Sequence, residues 1–212
     1  MKIGMSVAAR KEELRRRIVR GRVAEPDKEA KSWTILKKVF LLPQFQQART
    51  VLFYVDAGSE VRTRPFIPRA MALGKRVAVP YCARDEEGQG VLRLFLLRDL
   101  EELEPGAFGI LEPKPDLRGR TDRVLAAQEV DMVLVPGVVF DRRGGRIGHG
   151  WGYYDRLLRS VRPDCWLVGL AYESQVVEEV PMDPQDVFVD LVVTERAVYV
   201  ARRRVSGAQD PG

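Results

Sequence analysis

Residues 144–156 read Gly-Gly-Arg-Ile-Gly-His-Gly-Trp-Gly-Tyr-Tyr-Asp-Arg and carry the densest chemistry in the chain. Gly144, Gly145, Gly148, Gly150 and Gly152 are interleaved with a cation (Arg146), the only histidine (His149) and an indole (Trp151). Tyr153, Tyr154 and Asp155 follow directly. Glycine lacks Cβ and permits positive φ, so such a backbone can approach a ligand closely and aim several N–H groups at one anion. A strand-like run, Met132–Val135, precedes the loop, and a helix-like run, Tyr153–Arg159, follows it. A strand, a glycine loop and then a positive helix N-terminus suit phosphate. The spacing matches neither Gly-x4-Gly-Lys-Ser/Thr nor Gly-x-Gly-x-x-Gly, so neither common nucleotide fingerprint applies. The Tyr-Tyr-Asp-Arg sequence beside the glycines sets this run apart from an ordinary turn.

The flanking chain must supply the scaffold. Ser6 to Arg22 reads as a helix in which Lys11 and Arg15, four apart, share a face. Pro26 opens a second predicted helix, with Trp33, Leu36 and Phe40 on one stripe and Pro43 as its stop. Strands are predicted at Thr50–Val55, Arg76–Val79, Val91–Leu97, Met132–Val135, Trp166–Ala171, Val187–Val193 and Val198–Ala201, with helices at Arg62–Leu73 and Tyr153–Val161. The stretches 84–90 and 112–123 read as loops. Continuous Val/Leu runs alternating with helices predict an α/β fold, a single three-layer α/β/α domain over residues 6–203 with a mostly parallel sheet. Residues 204–212 read as a disordered tail. Ligands of open α/β sheets bind at the carboxyl ends of strands. Asp56–Glu60 follows Val55, residues 136–152 follow Val135, and Tyr172-Glu173 follows Ala171. Glu60 and the glycine loop are therefore predicted to share one rim.

At 212 residues, with 45% hydrophobic and 31% charged residues, the chain can bury one substantial core and does not read as disordered. It has no apolar run long enough to cross a bilayer, and residues 1–10 lack a signal-peptide core, so a cytoplasmic protein is expected. Cys82 and Cys165 are far apart and read as free thiols rather than a disulfide or zinc pair. The pI of 9.4 is a local effect. Residues 1–22 hold eight cations and two acids, a net +6, against +5 for the whole chain. A basic helix of this kind could bind RNA, but no RNA-recognition motif or basic–aromatic platform accompanies it.

Val135-Pro-Gly-Val-Val-Phe-Asp141 followed by Gly145-Arg-Ile-Gly-His-Gly-Trp-Gly-Tyr-Tyr-Asp-Arg156 resembles the signature of the 5-formyltetrahydrofolate cyclo-ligase family, also called 5,10-methenyltetrahydrofolate synthetases. Weaker matches occur in the family's order at Lys11–Arg15, Glu60–Thr63, Gly74-Lys75 with Val79-Pro80, Phe108–Pro113 and Asp186–Thr194, covering roughly residues 6 to 195. The resemblance implies a fold similar to the sugar-isomerase and CoA-transferase group. It also implies ATP- and Mg²⁺-dependent conversion of 5-formyltetrahydrofolate to 5,10-methenyltetrahydrofolate, ADP and phosphate. In that chemistry the formyl oxygen takes the γ-phosphoryl group and N10 closes the ring.

By resemblance, Lys11, Arg15 and Arg146 through Tyr154 (Arg146, Ile147, Gly148, His149, Gly150, Trp151, Gly152, Tyr153, Tyr154) contact ATP, with Arg146 and Tyr154 also catalytic. Val55 and Glu60 contact the folate together with His149, Gly150, Trp151, Gly152 and Tyr153. Asp155 and Asp186 are the implied Mg²⁺ ligands, with Asp190 as a competing second acid. Two departures from the family's pattern stand out: His149 replaces a usual Tyr or Arg, and Trp151 replaces a small or basic residue. Both bear on selectivity. Small-molecule substrates, no membrane or nucleic-acid partner, and a monomer or weak homodimer are expected. The alternatives are a non-catalytic folate or nucleotide binder on the same scaffold and a basic RNA-associated module.

Overall fold

The computed structural model describes residues 5–106 and 109–201; the predicted tail at 204–212 lies outside them. An eight-stranded sheet divides two helical layers. In chain order its strands are β1 (Thr50–Leu52), β2 (Arg76–Arg84), β3 (Gly90–Leu97), β6 (Val124–Leu125), β7 (Met132–Val135), β10 (Trp166–Leu170), β12 (Leu191–Val193) and β13 (Val198–Val200). They lie side by side as β13-β12-β10-β7-β1-β2-β3-β6. The five central strands, β12 to β2, are parallel, and antiparallel strands extend the sheet on both sides.

Both faces of this sheet are covered, and the alternation of side chains shows how. Val51, Val77, Met132, Leu134, Val168 and Leu191 point to one core, where Ile35, Leu36 and Val39 of α2 (Lys28–Leu41) and Ile67 and Ala70 of α4 (Ile67–Ala72) pack. Their neighbours Leu52, Ala78, Val133, Val135, Leu167 and Val192 point to the other, against Leu157 and Leu158 of α6 (Tyr153–Ser160). A strand buried on both faces needs no polar alternation, which is why these segments read as continuous apolar runs. Remaining elements are α1 (Val7–Val23), α3 (Pro43–Gln47), the β4/β5 hairpin (Leu103–Pro105 and Leu111–Pro113), α5 (Pro115–Arg118) and a small sheet of β8 (Val139–Asp141), β9 (Arg146–Ile147) and β11 (Val176–Val177).

Several boundaries differ from the sequence expectation, each for a visible reason. The helix expected at Arg62–Leu73 is a 3-10 turn over Arg64–Phe66 followed by α4. The buried Asp56 carboxylate accepts from the N–H groups of Thr63 (2.9 Å) and Arg64 (2.8 Å), so the chain cannot turn helical earlier. The second helix begins at Lys28, two residues after Pro26, because Asp27 adopts φ 53°. Of the strand expected at Val187–Val193 only Leu191–Val193 joins the sheet. Val187 N donates to Asp155 Oδ1 (3.3 Å) and Val189 N to Gly144 O (2.9 Å), so that stretch braces the glycine-rich region instead. Residues 84–90 form the tight turn of the β2/β3 hairpin, whose strands run longer than expected. The stretch 112–123, expected as loop, includes the end of β5 and α5.

The side on which successive strands are added reverses between β1 and β7. These strands pair in parallel, yet the chain leaves β1 for β2 on one side and β7 for β10 on the other. Loops leaving such a pair diverge and open a crevice at the strands' carboxyl ends. The loop after β7 is the glycine-rich one. At its turn, Gly144 has φ +87°, and a Cβ there would stand 2.1 Å from Val189 O. Gly144→Ala is therefore expected to lower stability by about 3 kcal/mol, from backbone strain plus the steric clash. Urea denaturation checks this; a loss under about 1 kcal/mol would show that the turn relaxes freely.

Candidate active site

The glycine-rich loop is not a simple arc. Residues 139–147 form the β8/β9 hairpin, and Gly152 then caps α6 with φ 67°. Fully buried Asp141 organises the hairpin. Its carboxylate accepts from Arg143 N (2.9 Å), Gly145 N (2.8 Å) and Val180 N (2.8 Å). The strand β9 thereby presents Arg146 inward, buried to 4% exposure. Arg146 donates to Pro136 O (3.3 Å) and to Asp155 Oδ1 (2.8 Å). A Cβ on Gly148 would lie 2.9 Å from Arg146 Nη1, so glycine there lets backbone and guanidinium coexist.

Helix α1 closes the site from outside. Leu14, Ile18 and Val19 pack on Val139 and Ile147 of the small sheet and on Val138 and Val180 beside it. This docking turns Lys11, Arg15 and Arg22 toward a cavity of about 1150 Å³ at the β1/β7 crevice. Arg15 Nε donates to Gly148 O (2.9 Å). Buried Arg22 donates to Ser59 Oγ (2.9 Å) and Gly137 O (3.1 Å), tying the loops after β1 and β7 together. Spacings of 4 and 11 residues put Lys11, Arg15 and Arg22 on one helical stripe, a signal that would have found Arg22 in the sequence.

Every site residue inferred from the sequence lines this cavity: Lys11, Arg15, Val55, Glu60, the run Arg146 to Tyr154, Asp155 and Asp186. Asp190, the competing acid, does not. It is buried and accepts from Leu167 N (2.8 Å). Glu60 and the glycine run share the rim, with His149 Nε2 3.7 Å from Glu60 Oε1. Glu60 Oε2 also accepts from Ala57 N (3.0 Å), which holds the carboxylate in place. Trp151 is 65% exposed, at the mouth of the cavity rather than filling it. The lining includes seven Lys and Arg side chains against four carboxylates, a balance that favours an anionic ligand.

Opposite charges pair within the site. Lys11 Nζ bridges Asp183 Oδ2 (2.6 Å) and Asp186 Oδ2. Burial works against the ammonium, but the hydrogen bonds to Asp183 and Asp186 outweigh it and leave the Lys11 pKa raised. Val187 N, next in the chain after Asp186, donates to Asp155, so the two acids come from segments that touch. Their oxygens are the hard donors a Mg²⁺ ion takes, usually from one or two carboxylates with phosphate and water completing the shell. Among the described residues no group of three or more His, Cys, Asp or Glu side chains could hold a metal without such help.

Among the described residues, three polar groups at the cavity lack a hydrogen-bond partner although they are buried: Arg146 Nε, Arg156 Nε and the Tyr154 hydroxyl. Burial, with the Glu60 charge adding to it and Arg146 opposing, pushes the Tyr154 phenol well above its ordinary pKa, so it stays a proton donor. A buried unpaired polar group costs about 1–3 kcal/mol, and three beside one cavity point to acceptors supplied by a ligand. Arg156 was not singled out in the sequence beyond its place in the motif. The far wall was also missed. Buried Glu112 accepts from Cys82 N (2.8 Å) and Arg118 Nη2 (3.2 Å). Burial and the Glu112 charge push the Cys82 thiol up to about 11, which makes it a poor nucleophile. Only the pairing of β2 with β3 and the packing of β5 bring these residues to the cavity, and no local pattern announces it.

Residues 7–195 match the 5-formyltetrahydrofolate cyclo-ligase family. The chain is 32% identical over 164 residues to the 5-formyltetrahydrofolate cyclo-ligase of Escherichia coli, covering 76% of this chain and 86% of that protein. It is equally similar, 32% over 161 residues, to the one from Mycolicibacterium smegmatis, covering 73% and 78%. The NMR structure of the 5,10-methenyltetrahydrofolate synthetase of Aquifex aeolicus has the same fold, with a TM-score of 0.76 and 33% identity over 95% of this chain and 97% of that one. The matched span contains every cavity residue from α1 to Asp186, and the chain belongs to the 5-formyltetrahydrofolate cyclo-ligase family.

Proposed function

We propose that the protein converts 5-formyltetrahydrofolate to 5,10-methenyltetrahydrofolate, with ATP consumed to ADP and phosphate. Beyond family membership, the observation that carries the reading is the set of unpartnered buried donors, Arg146 Nε, Arg156 Nε and Tyr154 OH, in a cavity with excess positive charge. Its volume of about 1150 Å³ exceeds the range of about 300–1,000 Å³ usual for one small ligand, which suits two substrates side by side. The reading takes the protein as a cytoplasmic monomer or weak homodimer.

A formyl amide is a poor electrophile and its oxygen a poor leaving group. Transfer of the γ-phosphoryl group to that oxygen makes it leave as phosphate once N10 attacks the carbon. Such transfer depends on holding donor and acceptor in line and neutralising the charge that spreads over the phosphoryl oxygens. Lys11, Arg15 and Arg146 supply the cations, and the backbone of Gly148 to Gly152 lines the path to the α6 N-terminus. Tyr154, kept protonated, donates a hydrogen bond to the transferring group. Glu60, held by Ala57 N, accepts from the pterin ring beside Val55. Asp155 and Asp186 would hold Mg²⁺, which when bound neutralises phosphoryl charge.

Purified protein should form the methenyl product, followed by its absorbance, only when ATP and Mg²⁺ are both present. Binding of both substrates without turnover would instead support a non-catalytic binder. Tyr154→Phe removes a buried hydroxyl that has no partner among the described residues, so the melting temperature should hold or rise. Its kcat/KM should fall by about 10- to 100-fold, the worth of one charge-assisted hydrogen bond. An unchanged kcat/KM would remove the hydroxyl from the mechanism. Asp155→Asn should raise the Mg²⁺ concentration needed for half-maximal turnover by about tenfold or more while folate affinity holds. An unaltered Mg²⁺ dependence would return Asp155 to the role of Arg146's partner.

A further inference from the structure

The ion pairs of the site cross its two expected ligands. Lys11, which the proposed function puts on phosphate, is bound to Asp186, which it puts on the metal. Arg146, also assigned to phosphate, is bound to Asp155, the other metal ligand. A fifth charged group belongs to this network and the proposed reaction does not use it. Asp183 takes the Lys11 ammonium at 2.6 Å and does not line the cavity. It sits in a turn with Asp186. Asp183 N donates to Asp186 Oδ2 (2.7 Å), and Asp186 N donates to Asp183 O (2.9 Å). The turn therefore fixes both carboxylates relative to Lys11.

We infer that Asp183 is a positioning residue that holds Lys11 against Asp186, so that Mg²⁺ and ATP enter this site together by an exchange of ion-pair partners. The inference rests on the nucleotide reading above and adds to it an energetic coupling and the residue that sets its size. A divalent cation arriving alone meets the ammonium and guanidinium already on its carboxylates. A triphosphate arriving alone meets carboxylates that already neutralise its cations. When both arrive, Asp155 and Asp186 turn to the metal while Lys11 and Arg146 turn to phosphate, and only the part-exposed Asp183 carboxylate is left to solvent. Each ligand then strengthens the other's binding by the same factor. Asp183 competes with phosphate for Lys11, and its negative charge opposes a triphosphate most strongly when no metal offsets the triphosphate's own charge. Its carboxylate is 34% exposed, so solvent screens the contribution and a modest effect is expected.

Calorimetric titration with ATP tests this, in EDTA and again in saturating Mg²⁺, using wild-type protein and Asp183→Asn. The variant should bind metal-free ATP about three- to fivefold tighter than wild type. It should bind Mg·ATP with a smaller gain, so that the advantage conferred by Mg²⁺ shrinks by a similar factor. In a Lys11→Met background, adding Asp183→Asn should no longer change metal-free ATP affinity, because the residue acts through Lys11. Asp183→Ser serves the same comparison if the amide disturbs the turn. Equal changes in EDTA and Mg²⁺, or none in either, overturn the inference. A selective loss of Mg·ATP binding also overturns it and makes Asp183 a metal ligand. Failure of wild-type protein to bind ATP under either condition would instead remove the nucleotide reading itself.

Discussion

Asp141 has no exposed surface, and its carboxylate accepts three backbone N–H groups from two segments nearly forty residues apart. Removing a carboxylate from water is costly unless its lone pairs are satisfied, and here they are. The result is a rigid β8/β9 hairpin with Val180 fastened to it. Nearly everything in the site is referred to that hairpin. It aims Arg146 at the cavity, gives α1 the apolar surface on which Leu14, Ile18 and Val19 dock, and leads into Gly148 to Gly152. The cations of α1 reach the site only because this surface exists.

Charge organises the next level. The N-terminal concentration of Lys and Arg looks in composition like a nucleic-acid feature, yet Lys11, Arg15 and Arg22 are turned inward by the packing of α1. Their partners include a carbonyl of the glycine run, a carbonyl of the loop after β7, and carboxylates near the end of the chain. The same helix therefore joins segments that the sheet alone would leave independent. The unpaired donors of Arg146, Arg156 and Tyr154 are the complementary observation. Elsewhere in the fold Asp56, Asp131 and Asp190 show how thoroughly buried and half-buried polar groups are satisfied, each accepting backbone N–H groups at 2.8–2.9 Å. Groups left short of partners at a cavity are a departure from that local standard, as binding sites commonly are.

Much of the architecture was legible in the chain because its signals are periodic and local. Val/Leu runs marked the central strands, the helices fell between them, and the carboxyl-end rule put Glu60 beside the glycine run. Lys11 and Arg15 could be paired from their spacing, and the motif from Arg146 to Asp155 stood out by composition. Boundaries were less legible wherever a distant group decided them. Asp56 delays the helix at Arg64, and the hydrogen bonds of Val187 and Val189 to the site keep that stretch out of the sheet.

The sequence by itself determined the α/β layering, the glycine-rich loop and the family, since each is written in neighbouring residues. Tertiary structure alone decided which acid stands at the cavity. Asp186 and Asp190 are four residues apart and chemically identical, yet one faces Lys11 and the other accepts a backbone N–H of β10. It also decided that Lys11 meets Asp183 across 172 positions, and that Glu112 backs Cys82. An ion pair depends on where the topology delivers two side chains and on the water it excludes around them, and neither is encoded in local spacing.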